Sequence, residues 1–141
     1  MAMIPDRLCV SESLAVLIDR WIVEYLKGPD PHGLHDVVRR CRALPINLDI
    51  GGATLLRPDG ELLSLGWGEA PGVETDPVLR TGALVVGARK HPELAQLLPN
   101  RPEGALTCEA CGGTGEIHVG GRTIGALCGK CGALGWRNAE S

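Results

Sequence analysis

Four of the six cysteines fall into two close pairs, Cys108-Glu109-Ala110-Cys111 and Cys128-Gly129-Lys130-Cys131, with sixteen residues between the inner members. A Cys-x-x-Cys turn brings two thiolates to one metal while the backbone amides around it point at the sulfurs. Two such turns complete a tetrahedron, so Cys108, Cys111, Cys128 and Cys131 are the candidate ligands of one structural zinc ion. Four sulfur ligands leave no coordination position for water, which makes such an ion a clamp on the fold rather than a hydrolytic centre. The same thiolates bind iron or exchange electrons as a dithiol, and both alternatives stay open at this level. Gly112-Gly113-Thr114-Gly115 and Gly132-Ala133-Leu134-Gly135 follow the two pairs, and their small residues let the chain fold back closely. Between the pairs, residues 116–119 and 122–126 flank Gly120-Gly121, the pattern of a short β-hairpin. His118 is read as an exposed hairpin residue, because four cysteines already fill the tetrahedron.

Other residues with chemical potential are less organised. Cys9 and Cys41 have no metal-like spacing, and Cys41 falls on the apolar face of an expected helix, where cysteine acts as a small hydrophobe. His32 and His35 are three apart without a third ligand nearby, which suits surface or capping roles. Gly51-Gly52 lacks the Gly-Lys-Ser/Thr ending of a phosphate loop and reads as a tight turn. Asp19 with Glu24, and the acids Glu69, Glu74 and Asp76, are read as solvated charge rather than as an acid and base pair. No catalytic residue is assigned, and the chain is expected not to be an enzyme.

These residues need elements to position them. Ser11 or Ser13 can cap a helix in which Leu14, Leu17, Ile18, Trp21, Ile22, Tyr25 and Leu26 share a face, with Gly28-Pro29 as the stop. A second amphipathic helix runs from Leu34 through Val37, Val38 and Cys41 to Leu44, closed by Pro45. Residues 53–57 and 61–67 flank Pro58-Asp59-Gly60 and read as a β-hairpin. Residues 68–77 form an acidic loop, residues 82–88 a buried strand, and residues 92–98 a last short helix. The composition then switches to glycine and cysteine, which places a boundary near Ala105. The expected fold is α+β: N-terminal helices packed on a small antiparallel sheet in residues 1–104, followed by a four-cysteine zinc-binding β-hairpin module in residues 105–141.

Composition narrows the partners. The chain has 141 residues, 44% hydrophobic and 22% charged, with a formal net charge of -3 and no phenylalanine. A negative chain without a basic patch or an aromatic platform has little to offer nucleic acid or anionic lipid. The first ten residues carry no basic start followed by an apolar run, and residues 14–26 are too short and too charged to span a bilayer. A cytoplasmic setting is the expectation, and there closely spaced cysteines point to metal or redox chemistry rather than to a disulfide framework.

The motif Cys-x-x-Cys-x-Gly-x-Gly spanning Cys108 to Gly115 resembles the repeat of the cysteine-rich zinc-binding domain of DnaJ-type chaperones. The second repeat keeps Cys128, Cys131 and Gly135 and has Ala133 where that family has glycine. One pair of repeats stands here where the chaperones have two, so the resemblance implies one zinc ion instead of two. His91-Pro92-Glu93 differs in its last residue from the His-Pro-Asp tripeptide of a J-domain, and no co-chaperone role is read from it. Residues 1–104 resemble the SUKH superfamily of small α+β proteins, many of them immunity proteins against bacterial toxins. The early helices, Leu44-Pro45 leading to Gly51-Gly52, the Arg57-Pro58-Asp59-Gly60 turn and the acidic loop carry that resemblance.

Three functional classes follow. The first is a non-enzymatic protein-binding protein with a structural zinc module, with toxin immunity as one form of it, whose acidic loop favours a basic partner. The second is a chaperone-like assembly factor using the cysteine-rich hairpin. The third is a thiol-disulfide oxidoreductase using one Cys-x-x-Cys pair, which needs an accessible, acidic thiol.

Overall fold

Helix α1 (Glu12–Lys27) begins where the sequence supplies a cap: the Ser11 hydroxyl accepts a hydrogen bond from the Leu14 amide at 3.2 Å. Its buried residues, Leu14, Ile18 and Ile22, are spaced by four and so lie on one stripe. The helix stops at Gly28, whose amide donates to the Tyr25 carbonyl at 3.2 Å. The structure is a computed structural model, and it describes residues 7–119 and 122–137, with the side chains of 118 and 122–126 outside the described set. The chain divides into two compact units, Pro5–Glu74 and a second one from Thr75 onward.

In the first unit, helix α2 (His35–Cys41) is shorter than the sequence suggests. Asp30 Oδ1 accepts from the Leu34 amide at 2.7 Å and from the His35 amide at 3.3 Å, satisfying two donors at its start. Its end is set by Arg42, at φ 50°, rather than by Pro45. Arg42 then turns back to α1, its Nε 2.8 Å from Asp19 Oδ1 and its Nη2 2.6 Å from Asp19 Oδ2. The two-point geometry fixes where the chain leaves the helices.

Strand β1 (Leu44–Leu48) therefore starts inside the stretch expected to be helical, and it pairs antiparallel with β2 (Gly52–Leu56). Strand β3 (Leu62–Gly66) pairs with β2, and a two-residue β4 (Gly72–Val73) pairs with β3, giving an antiparallel sheet in the order β1-β2-β3-β4. The β2–β3 hairpin turns at the expected Pro58-Asp59-Gly60. Gly60 sits at φ 93°, and a β-carbon there would collide with the Leu8 carbonyl, so only glycine fits. Every residue of β2 is buried. Helices with a small antiparallel sheet make the fold α+β, as its sequence texture suggests.

The second unit overturns one expectation. Residues 82–88 are not a strand but the middle of helix α3 (Pro77–Lys90). Asp76 caps it, with Oδ1 accepting from the Val78 amide at 2.9 Å and the Leu79 amide at 3.3 Å, and Pro77 occupies the first helical position. The buried set runs from Arg80 through Thr81, Gly82, Ala83 and Leu84 to Gly87, a broad face built largely of small side chains. A run so short in large hydrophobes does not display a 3.6-residue period. A 3-10 helix (Pro92–Leu97) follows, with Leu94 and Leu97 buried.

Beyond it, β5 (Leu106–Thr107) pairs with β8 (Trp136–Arg137), and β6 (Glu116–Val119) pairs with β7 (Arg122–Leu127), both antiparallel. The Gly120-Gly121 turn between β6 and β7 lies outside the described residues. The compact units thus meet between Glu74 and Thr75, while the change of composition lies near Ala105. Helix α3 falls in the same compact unit as the cysteine-rich segment and packs against it through Thr81 and Gly82, although it does not share its texture.

Replacing Asp76 with alanine removes the only side-chain cap seen at the start of α3 and is expected to cost about 1 kcal/mol of stability in urea unfolding. An unchanged midpoint would remove the cap from this account.

Candidate metal centre

The four cysteines of the two pairs are 0–3% exposed and their sulfurs all lie within 4.8 Å of one another. Among the described residues they are the only group of three or more potential ligands gathered in this way. Two Sγ–Sγ distances are 3.8 Å, Cys108 to Cys128 and Cys111 to Cys131, and all four thiols are free. A tetrahedron of sulfurs around a metal at about 2.3 Å has edges of about 3.8 Å. A disulfide would need about 2.05 Å. The cluster is therefore compatible with one metal site.

Two copies of one local structure build it. In the first, the Gly113 amide donates to the Cys108 carbonyl at 3.2 Å, the Thr114 amide to the Cys111 carbonyl at 3.3 Å, and the Gly115 amide to Cys111 Sγ at 3.3 Å. In the second, the Ala133 amide donates to the Cys128 carbonyl at 3.0 Å, the Leu134 amide to the Cys131 carbonyl at 3.3 Å, and the Gly135 amide to Cys131 Sγ at 3.2 Å. The copies are cross-linked by two further bonds, from the Cys108 amide to the Gly135 carbonyl at 3.0 Å and from the Cys128 amide to the Gly115 carbonyl at 2.9 Å. Each repeat thus anchors the first ligand of the other.

The glycines explain why the copies fit. A β-carbon on Gly115 would collide with the Ala133 carbonyl, and one on Gly135 would collide with the Gly113 carbonyl. Ala133 occupies the place of Gly113 and adopts the same left-handed region, φ 67° against 87°. The one departure from the repeat therefore leaves the backbone path unchanged, at the modest strain of a non-glycine residue at positive φ. Its methyl group is 2% exposed and lies on the side facing α3. A β-carbon on Gly82 would collide with Leu127 and approach the Ala133 methyl at 3.7 Å, while one on Gly132 would stand 3.7 Å from the Thr81 side chain. Thr81 and Gly82 of α3 are the floor on which the second repeat rests. Arg89 at the end of α3 adds an ion pair to Glu116 of β6 at 3.0 Å, and Thr114 Oγ1 donates to the Cys111 carbonyl at 2.8 Å.

Burial opposes ionisation of Cys111, but amide donors from Gly115 and Gly113 and the thiols of Cys131 and Cys108 outweigh it and bring this group down to about 7. Burial pushes Cys131 up to about 12; the neighbouring sulfurs add to the rise, against the Gly135 amide. A thiolate on Cys111 near neutral pH thus opposes a second one on Cys131.

The remaining candidates do not assemble. His32 stacks on Trp67 with ring centroids 5.6 Å apart, whereas His35 meets Tyr25 edge-on at 5.4 Å. The two histidines thus serve different packing contacts. Cys9 is exposed, and Cys41, expected as a small buried hydrophobe, is only half-buried. Asp19 is committed to Arg42, Glu24 pairs with Lys27 at 3.6 Å, and Asp76 caps α3. The side chain of His118 lies outside the described residues. What the sequence reading missed is the support from Thr81-Gly82, for which the only signal is a glycine inside an apolar run. No protein-family model, curated protein or solved structure matches this chain.

Two outcomes follow from the interlocked repeats. Gly115→Ala should cost the site at least tenfold in metal affinity in a competitive chelator titration although no ligand is altered, while Ala133→Gly should retain the metal; equal affinity in all three proteins would refute the interlock. Metal binding must also displace protons from thiols ionising at about 7 and above. Lowering the pH from 7 to 5 should weaken it by at least about tenfold per unit, and pH-independent affinity would show that thiolates are not the ligands.

Proposed function

We propose that Cys108, Cys111, Cys128 and Cys131 bind one zinc ion, and that this ion is a structural element of a non-enzymatic protein-binding protein. The observation that carries the reading is the burial of all four sulfurs at tetrahedral spacing. A four-sulfur shell leaves no place for water or substrate, so the ion's chemistry would be confined to holding the segment folded. The tetrahedral four-sulfur shell suits zinc or iron alike, and zinc is the choice here because a fold-holding ion needs no redox chemistry. The redox reading is disfavoured by the same burial, since an exchanging thiol must be reached by its partner.

The resemblance to the DnaJ-type repeat supports a zinc-binding β-hairpin module, and the resemblance to SUKH proteins supports toxin immunity as the form that partner binding takes. Both belong to the proposal. Among the described residues no helix is long and apolar enough to cross a membrane. The acidic segment carrying Glu69 and Glu74 favours a basic protein over nucleic acid or an anionic surface.

Cys128→Ser tests the proposal. Wild-type protein should carry one zinc per chain with four thiols protected from alkylation, and the variant should lose the metal together with the protection. Circular dichroism and proteolysis should show the Pro5–Glu74 unit keeping its structure, because none of its elements includes a ligand. Metal-free wild-type protein with a reducible Cys-x-x-Cys disulfide would replace this reading with the oxidoreductase.

A further inference from the structure

The turn between β1 and β2 presents an apolar side chain to solvent in an unusual way. Ile50 is 99% exposed, and yet the backbone that carries it is firmly held. Asp49 Oδ1 accepts from the amides of Gly51 and Gly52, both at 2.8 Å, and the Asp49 amide donates to the Gly52 carbonyl at 2.9 Å. Trp67, just past the end of β3, braces the turn from the side: its indole Nε1 donates to the Asp49 carbonyl at 3.2 Å and its amide to the Gly51 carbonyl at 3.3 Å. His32 stacks on the Trp67 ring, at 18° between the planes. Leu48, next to the turn, is 42% exposed and Trp67 38%.

A single exposed aliphatic side chain on a protein surface is ordinary. Here a fully exposed isoleucine stands on a turn fixed by five hydrogen bonds, beside an exposed leucine and a tryptophan held by its own polar atom. Little conformational entropy remains to be lost when such a tip is buried by a partner, which is the property of an interface anchor. The carboxylates at this end of the sheet are those of Asp49 and Glu69. Glu69 reaches over the same end of the sheet, its Oε2 only 2.7 Å from where a Gly66 β-carbon would be, and Gly66 is the register partner of Gly52. Positions 48–56 and 62–72 contain Asp49 and Glu69 and no lysine or arginine, and the imidazole stacked on Trp67 beside them is that of His32.

We propose that this corner of the Pro5–Glu74 unit, with Ile50 as its anchor, is a docking surface for a protein that presents an apolar pocket rimmed by lysine or arginine. The inference rests on the reading of the chain as a protein-binding protein and names the face and the partner chemistry. Phosphate backbones and anionic lipid headgroups are repelled by the carboxylates, whereas a basic rim is attracted by them and the pocket receives the isoleucine.

The test uses the full-length, zinc-loaded protein and an amphipathic peptide of alternating leucine and lysine clusters, followed by NMR at the Ile50 methyl and Trp67 indole signals. The peptide should shift these signals. Ile50→Ser should weaken binding about tenfold or more, and Glu69→Lys or a rise in salt from about 0.1 to about 0.5 M should weaken it severalfold. The matching leucine and glutamate peptide should leave the signals in place. An exposed turn residue tolerates serine, and the spectrum of the variant reports its folding directly. Binding that persists in Ile50→Ser, or shifts that map elsewhere, would overturn this surface and leave the binding-protein reading standing. Self-association that rises with concentration and disappears in Ile50→Ser would assign the face to a second copy of the chain and equally overturn the proposal. Zinc content measured on the same samples tests the metal centre separately.

Discussion

Buried thiols that must ionise together are the constraint on which the second half of this molecule depends. Four sulfurs within 4.8 Å cannot all carry charge in a low-dielectric setting without a cation among them. Left protonated, they offer only weak hydrogen bonds to hold a segment whose buried apolar residues beyond Thr107, among the described ones, are the cysteines themselves, Ala133 and Trp136. A segment of this size does not build a sufficient core alone, and a metal is the usual remedy. The backbone is arranged accordingly. Each repeat aims an amide at its second sulfur, and each anchors the other through one amide and one glycine contact. The ligands can be brought together only when both repeats are folded against each other.

Much of this was legible because the informative signals are short in range. Cys-x-x-Cys spacing, the serine before α1 and the Pro-Asp-Gly turn each act within four residues, so the four-cysteine cluster, the first helix and the β2–β3 hairpin could be read directly from the sequence. The end of α2 was hidden, because a left-handed arginine marks it and no residue type announces that conformation. Residues 82–88 were misread for a related reason. The cap that starts α3 stands at Asp76 and Pro77, outside the apolar run, and Gly82 inside that run lies against Leu127 and Ala133 rather than marking a helical face. Ala133 shows the same dependence on a distant partner: its positive φ is supported by the helix against which its methyl group packs.

The division of the chain carries the functional consequence. The cysteine cluster and its supporting helix lie in the unit from Thr75 onward, while the braced turn at Ile50 and the carboxylates beside it lie in the Pro5–Glu74 unit. The first unit contributes no cysteine to that cluster. The proposed partner binding and the proposed metal retention would thus be separable, each resting on its own set of short contacts.

Zinc K-edge X-ray absorption of the purified protein tests the central claim most directly, because it reads the identity, number and distance of the ligands at once. The account requires four sulfurs at about 2.3 Å and no light-atom ligand. A shell containing nitrogen or oxygen, or protein that takes up no zinc at all, would contradict it.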